Sequence, residues 1–416
     1  MAGATAVTGA GRGYDVVVVG ARVAGSATAM LLARMGHRVL LVDRMGFPSD
    51  TMSSHFIPFY GAARLERWGL LDRLLATGCP PVARLTSDWG QVRLTGRPPA
   101  YQGTRVGVCP RRYVLDKLLI DAAVESGVEF EERFLVTELL GDGDRVTGVR
   151  GRTSSGARVT VPASFVVGAD GMRSLVARTV GAEEYNTVPP LTVTYYTYFE
   201  NLNLDDLLIH WRPGRCVPAI PTHDGLAVVL CGSPHAEWRE LRKDVEGGYF
   251  AAIERDVPEF AERLRDARRV ERFSGTHHVP NFFRKPFGPG WALVGDAGYH
   301  KDPVTALGMS DAFRDAEYLA AALHEALEGA RPADEALAEY EVRRNRDAEP
   351  LYKYTLEQAR YQPLDRLTAR VLKALEDNEE DRDQFFGILA GSVLPEEFSA
   401  LDNIVRILTR AGLMPT

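Results

Sequence analysis

The chain predicts an α/β protein: a Rossmann-like nucleotide-binding domain with an inserted antiparallel sheet and helices at its C-terminal end. Residues 14–44, YDVVVVGARVAGSATAMLLARMGHRVLLVDR, read as one complete βαβ unit. Three apolar strands far apart in sequence each end in Gly with a further Gly or an acid: Gly20 and Gly25, Gly168 through Gly171, and Gly295-Asp296. Between the second and third of them, residues 191–232 switch to longer alternating runs, the mark of an antiparallel sheet with one buried face.

Taken in order, Val16 to Val19 is a short β-branched run stopped by Gly20, and small apolar residues then recur at helical spacing from Ser26 to Met35 until Gly36. A second strand ends at Asp43, with Arg44 beside it. The turn places free backbone N–H groups and the positive end of a helix dipole at one point, where a pyrophosphate binds. Asp43 follows Gly20 by 23 residues, which suits a ribose hydroxyl. Gly20 and Gly25 fill the first and third glycine positions of the dinucleotide fingerprint, while Arg22 replaces the second. Its guanidinium is a candidate to offset phosphate charge. The same βαβ unit also stands as plain structure with no ligand.

Pro48 and Pro58 interrupt any period in 45–60, which reads as a long connection carrying the polar cluster Ser53, Ser54 and His55. His55 is a candidate catalytic residue, and a solvated loop explains the cluster equally well. Residues 61–75 return to a helical pattern, strand-like pieces follow near 85–94, and a helix opens near Tyr113 and closes at Gly127. Short β segments fill 128–161 around a Gly141-Asp142-Gly143-Asp144 turn. Residues 237–269 and 334–416 are helical in character and highly charged.

The expected organisation is a disordered lead-in at 1–13, a nucleotide-binding domain in three parts (14–75, 106–184, 281–330), an inserted substrate domain in two parts (76–105, 185–280) and a C-terminal helical region at 331–416.

Forty-five per cent hydrophobic and 25% charged residues describe an ordinary globular chain, and 416 residues exceed what one core supports. A net charge of −7 without a basic block argues against nucleic acid as a partner. Four dispersed cysteines, with no Cys-x-x-Cys pair, suit a reducing cytoplasm and give no metal motif. Adjacent strand residues point to opposite faces, so His277 and His278 are not expected to share an ion. No signal peptide or membrane span is read, no Gly-x-Ser-x-Gly elbow suggests hydrolysis, and oligomeric state has no signature here.

In a parallel sheet, ligands lie at the carboxyl ends of the strands, so all three Gly-rich ends are expected to converge on one long cofactor. Their order and spacing, over residues 14–327, resemble the FAD-dependent monooxygenase superfamily of para-hydroxybenzoate hydroxylase type, which includes geranylgeranyl-reductase-like and halogenase-like branches. The resemblance implies FAD as cofactor, its pyrophosphate at Gly20, Arg22 and Gly25, its ribose at Asp43, and a contribution from Arg112 in Arg-x-x-Leu. It associates Asp170 and Gly171 with flavin and nicotinamide, gives Asp296 the ribityl chain, and gives the stretch containing Pro303, Gly308 and Met309 the flavin pyrimidine edge. Amides at a helix start stabilise negative charge there for physical reasons alone. Asp296 and Asp170 also suit a helix cap and a turn, and Arg112 a surface helix start.

The implied activity is hydroxylation of an organic small molecule, of the kind met in secondary metabolism, with NAD(P)H and O2. Tyr195 or Tyr196 (alternation allows one), Tyr198, His210 and Trp211 are the candidate substrate-lining residues of the inserted sheet, with core packing as the alternative for each. His300, beside Asp296 and Pro303, is the candidate proton shuttle, with a surface loop position as its alternative. Phe47-Pro48 matches the reductase branch, but Ser49, Thr51 and Ser53 replace its Arg, Lys and Cys, and the halogenase Trp-x-Trp-x-Ile-Pro segment is missing. Thr305 and Ser310 stand where hydroxylases frequently carry Gly and Asn. FAD-dependent reduction or dehydrogenation without oxygen insertion, and a flavin-binding module without catalysis, are the other readings.

Overall fold

A computed structural model describes residues 13–413. Apart from Gly13, the lead-in expected at 1–13 lies outside the described residues.

The strand Tyr14–Val19 sits between Arg158–Gly168 and Val39–Asp43, with Trp291–Leu293 beyond the first and Glu129–Glu132 beyond the second, all parallel. These strands are apolar because both faces of the sheet are covered: Val16, Val17, Val18, Val166 and Val167 are fully buried. The register sets the strand ends side by side. Val19 pairs with Val42 and Gly168, and Gly168 with Leu293. Residues 20, 43, 169–171 and 295–296 therefore emerge along one edge, as the convergence argument requires.

Helix Val23–Arg34 crosses back over this sheet and packs between helices Gly308–Leu327 and Arg112–Glu125. Gly25 is what lets that helix lie so close to the first strand: a Cβ there would sit 1.8 Å from the Gly20 carbonyl oxygen. Arg158–Gly168 is longer than the sequence pattern indicates. Its first half pairs antiparallel with Arg145–Arg152 and its second half parallel with Tyr14–Val19, so one strand serves two neighbours. The expected helix over 61–75 is two, Phe59–Arg67 and Leu71–Leu75, parted near Gly69, whose φ of +77° suits glycine.

The second sheet runs in the order Arg268–Arg269, Thr192–Glu200, Ala227–Pro234, Arg215–Pro221, Leu207–Arg212, Leu85–Asp88, Arg93–Gly96. It is antiparallel except where Leu207–Arg212 lies parallel to Leu85–Asp88, the join between its two sequence-distant pieces. One face packs on helices Val245–Asp256 and Pro258–Arg265 through Val217, Ala219, Val229, Ile253 and Phe260. The other meets the C-terminal helices through residues such as Leu94, Val371, Leu375 and Phe386. No helix among the described residues is long and apolar enough to cross a membrane.

Candidate active site

A cleft of about 1030 Å³ runs along the carboxyl edge of the parallel sheet and under the second sheet. It gathers every residue proposed from sequence for the cofactor: Gly20, Arg22, Asp43, Arg44, Arg112, Asp170, Gly171, Asp296, Pro303, Gly308 and Met309 line it, and Gly25 lies in the helix turn behind Gly20.

At one end, Gly20 turns with φ of +107°, and a Cβ on it would meet the Ala169 carbonyl oxygen at 2.4 Å, so only glycine fits. No side chain caps the helix that follows, and its first turn carries no acid, which leaves its amides for an anion. Asp43 is buried and organises the neighbouring backbone: Oδ2 accepts from Ala21 N–H (2.7 Å) and Oδ1 from Met45 N–H (2.8 Å). Each oxygen can still accept a second bond.

Arg22 lines the cleft beside the Gly20 turn, and its guanidinium is held by protein groups. Its guanidinium donates to Asp116 Oδ2 (2.6 Å), Ser49 O (2.8 Å) and Ser49 Oγ (3.0 Å), and lies over the Phe47 ring. Asp116 is fully buried and also receives Arg112 through Nε and Nη2. Two arginines thus share one carboxylate, and Arg22 fastens the 47–50 connection and helix Arg112–Glu125 to the turn.

Midway along the cleft, Asp170 Oδ2 accepts from Leu175 N–H (2.6 Å), while Oδ1 is buried without a partner. Burial raises its pKa. Opposite, helix Gly308–Leu327 begins at Gly308 with no side-chain cap. A Cβ on Gly308 would meet nothing, so the helix start opens on the cleft. A glycine cradle, two uncapped helix starts and an orphaned carboxylate oxygen fit a long cofactor with a phosphate bridge and a polar ring edge.

Beside this second helix lies a buried ionic cluster that sequence patterns did not mark. Lys301 Nζ pairs with Asp311 Oδ2, Arg314 Nη1 contacts Asp311 Oδ1 (3.1 Å) and Arg314 Nη2 contacts Asp315 (2.8 Å). Tyr60 Oη donates to Asp311 Oδ1 (2.8 Å). Burial works against ionising Asp311, but Lys301 and Arg314 outweigh it and lower its pKa. Burial lowers the Lys301 ammonium against the pull of Asp311, and raises Asp315 against that of Arg314. Asp302 is equally buried: Oδ2 accepts from Thr192 Oγ1 (2.7 Å), Oδ1 from Val304 N–H (3.1 Å), and burial pushes its pKa up to about 6. The run Lys301-Asp302-Pro303 was the available signal, a charged pair directly before the helix-start segment.

The far wall belongs to the second sheet: Thr194, Tyr196, Cys216, Pro218, Ile220, Leu230 and Gly232, with Tyr361 over them. Tyr361 comes from the connection after helix Ala333–Gln358, and its hydroxyl fills the space a Cβ on Gly232 would take, 2.3 Å away. Tyr196 faces the cleft and Tyr195 the opposite side, as alternation requires. Tyr198 shares the face of Tyr196 but lies behind it, bonded to His55 Nε2 (2.8 Å) with Arg111 over its ring.

Besides Tyr198, three expected side chains do not line the cleft. His55 is 1% exposed, and burial, then Arg112 and Arg111, lower its pKa to about 3. It is a neutral packing partner of Tyr196 and Tyr198. His210 points to the other face of its sheet, among Asp88, Glu259 and Phe260, because it shares parity with Leu208 and not with Ile209. Trp211 packs at the sheet's end in the apolar layer under the C-terminal helices. His300 does line the cleft, its ring stacked on Phe282 and Nδ1 donating to Pro280 O. His278 also lines it, while His277 stacks on Trp238 at 4.1 Å.

Comparison with known proteins agrees with this geometry. Residues 13–355 match the family described as FAD binding domain. Digeranylgeranylglycerophospholipid reductase 2 of Methanothermobacter thermautotrophicus is 28% identical over 345 residues, covering 79% of this chain and 83% of that protein. Among solved structures, the myxobacterial chondrochloren halogenase CndH superposes with a TM-score of 0.77 at 24% identity over 97% of this chain and 98% of that one. PqsL, described as a probable FAD-dependent monooxygenase from Pseudomonas aeruginosa, gives 0.69 at 22% identity over 89% and 98%. At those identities the two structures share a fold with this chain. The match over most of its length shows that the chain belongs to the FAD binding domain family of FAD-dependent oxidoreductases.

Proposed function

We propose that the chain is an FAD-dependent monooxygenase that uses NAD(P)H and O2 to hydroxylate an organic small molecule. The observation that carries this reading is the continuity of the cleft from the Gly20 turn, past Gly308, to a wall of Tyr196, Pro218, Ile220, Leu230 and Tyr361. Bound there, FAD supplies the hydride acceptance and the oxygen activation.

The chain's own residues do the rest. The turn at Gly20 and the amides after Arg22 hold the pyrophosphate, Asp43 the ribose, and Asp296 the polar chain between nucleotide and ring. The amides at Gly308 and Met309 stabilise negative charge at the ring edge. The apolar wall excludes water and orients the substrate. Asp302, ionising near pH 6, takes up and releases a proton beside the helix start, and His300 presents its ring to the cleft as the candidate shuttle.

Oxygen-independent double-bond reduction is the second reading, favoured by the names of relatives at 26–28% identity. Against it, Ser53 occupies the position where the reductase branch carries Cys, and its hydroxyl lies 3.9 Å from Met309 Sδ at the helix start. The test is NAD(P)H consumption by the flavin-loaded protein with a panel of candidate aromatic and polyketide-like substrates, in air and under argon. Oxygen-dependent turnover with a product one oxygen atom heavier is expected. Turnover that continues under argon, with a product two hydrogens heavier, overturns it in favour of the reductase.

A further inference from the structure

His210 is placed in an environment that its neighbours do not explain. It is 2% exposed, yet both ring nitrogens lack a hydrogen-bond partner. Nδ1 is 3.7 Å from Asp88 Oδ2 and 3.8 Å from Glu259 Oε1, too far for hydrogen bonds to either. The three donor atoms, from strand Leu207–Arg212, strand Leu85–Asp88 and helix Pro258–Arg265, all lie within 4.8 Å of one another.

Those separations suit a shared ion. Ligands about 2.1 Å from one metal and spread by tetrahedral or trigonal angles stand roughly 3.4–3.6 Å apart. A shift of a few tenths of an ångström brings His210 Nδ1 to that spacing from either oxygen. We propose that Asp88, His210 and Glu259 form a binding site for one divalent transition-metal ion of the zinc class, clamping helix Pro258–Arg265 to the outer face of the second sheet.

An ion here shares its two carboxylates with arginines. Arg212 holds Asp88 Oδ1 (3.0 Å) and Glu259 Oε1 (2.5 Å), and Arg93 stands 4.0 Å from Asp88 Oδ2 on a largely exposed side chain. Asp88 Oδ2 and His210 Nδ1 remain for the ion, and Glu259 completes the set with the carboxylate whose Oε1 it shares with Arg212. Imidazole with carboxylate oxygens is a donor set that borderline divalent ions accept. Glu259 is half exposed and provides the entry side, where water completes the coordination. The site lies across the sheet from the cleft, since His210 pairs with Val217 whereas Pro218 lines the cleft wall. Its loss therefore leaves flavin content unchanged.

The test is calorimetric titration of Zn2+ into the full-length, flavin-loaded protein after chelator dialysis, alongside the His210→Leu and Glu259→Gln variants. One Zn2+ per chain is expected, with binding weakened at least about tenfold in each variant, a floor set by the effect of altering even outer-shell groups. Glu259→Gln changes an exposed side chain and keeps the test valid if His210→Leu does not fold. His37 and His324, 2.9 Å apart beside Glu328, are a second grouping that takes metals, so each titration is repeated with His324→Gln. No Zn2+ uptake by the parent, unchanged affinity in Glu259→Gln, or uptake abolished by His324→Gln alone overturns the proposal.

Discussion

Replacing Lys301 by Met removes one charge from a nearly buried cluster at the edge of the cleft. Lys301 and Asp311 have side chains 3% and 4% exposed, and with Arg314 and Asp315 they make two positive and two negative groups in contact. Lys301→Met leaves Arg314 as the one cation in direct contact with the two carboxylates among the described residues. Breaking a buried pair from one side costs about 3–5 kcal/mol, because the remaining charge keeps its desolvation penalty without its partner. Spread over 416 residues, an unfolding entropy of ~2.1 cal/mol/K per residue amounts to about 0.9 kcal/mol/K, so the melting midpoint falls by about 3–6 °C. Lys301→Met/Asp311→Asn restores one positive against one negative group and is expected to recover about half of that loss. The assay is scanning calorimetry of the flavin-loaded protein, with release of flavin fluorescence as a second probe. A single variant within about 1 °C of the parent, or a double variant that melts below the single one, refutes the assignment of this cluster as a paired ionic network.

Asp302→Asn tests the raised carboxyl. A group whose pKa rises from 3.8 to about 6 on folding favours the folded state below pH 4 and loses that contribution as pH climbs through 6. At about 1.4 kcal/mol per pH unit, the parent loses on the order of 3 kcal/mol over that window relative to the Asn variant, read as a difference in the pH dependence of the melting midpoint. The rate of flavin reduction by NAD(P)H should also lose its inflection near pH 6 in Asp302→Asn. His55→Gln, by contrast, is expected to leave the pH–rate profile between pH 5 and 9 unchanged, since His55 titrates near pH 3; a moved inflection there would restore it as an acid–base residue. Gly25→Ala places a Cβ 1.8 Å from the Gly20 carbonyl oxygen, so the helix must shift off the strand, and the ratio of flavin to protein absorbance after purification should fall severalfold.

What was legible in the sequence was local and periodic. The apolar run before Gly20, the helix closed at Gly36 and the strand ending at Asp43 follow from residue type at short range, and parallel pairing then puts Gly20, Asp43, Asp170 and Asp296 on one edge. Alternation along Thr192–Glu200 likewise sorted Tyr195 from Tyr196. It also sent His210 and Ile209 to opposite faces but did not say which face met the cleft, and the structure gives it to Ile209's side. The side-chain partnerships belong to tertiary structure alone. Arg22 meets Asp116 across 94 positions and His55 meets Tyr198 across 143, and neither pairing is encoded in any repeat or spacing. Hydrophobic period and turn chemistry act between neighbours along the chain, so sequence decides where strands end. Burial decides which charged and polar groups must find one another, and burial exists only once the layers have closed.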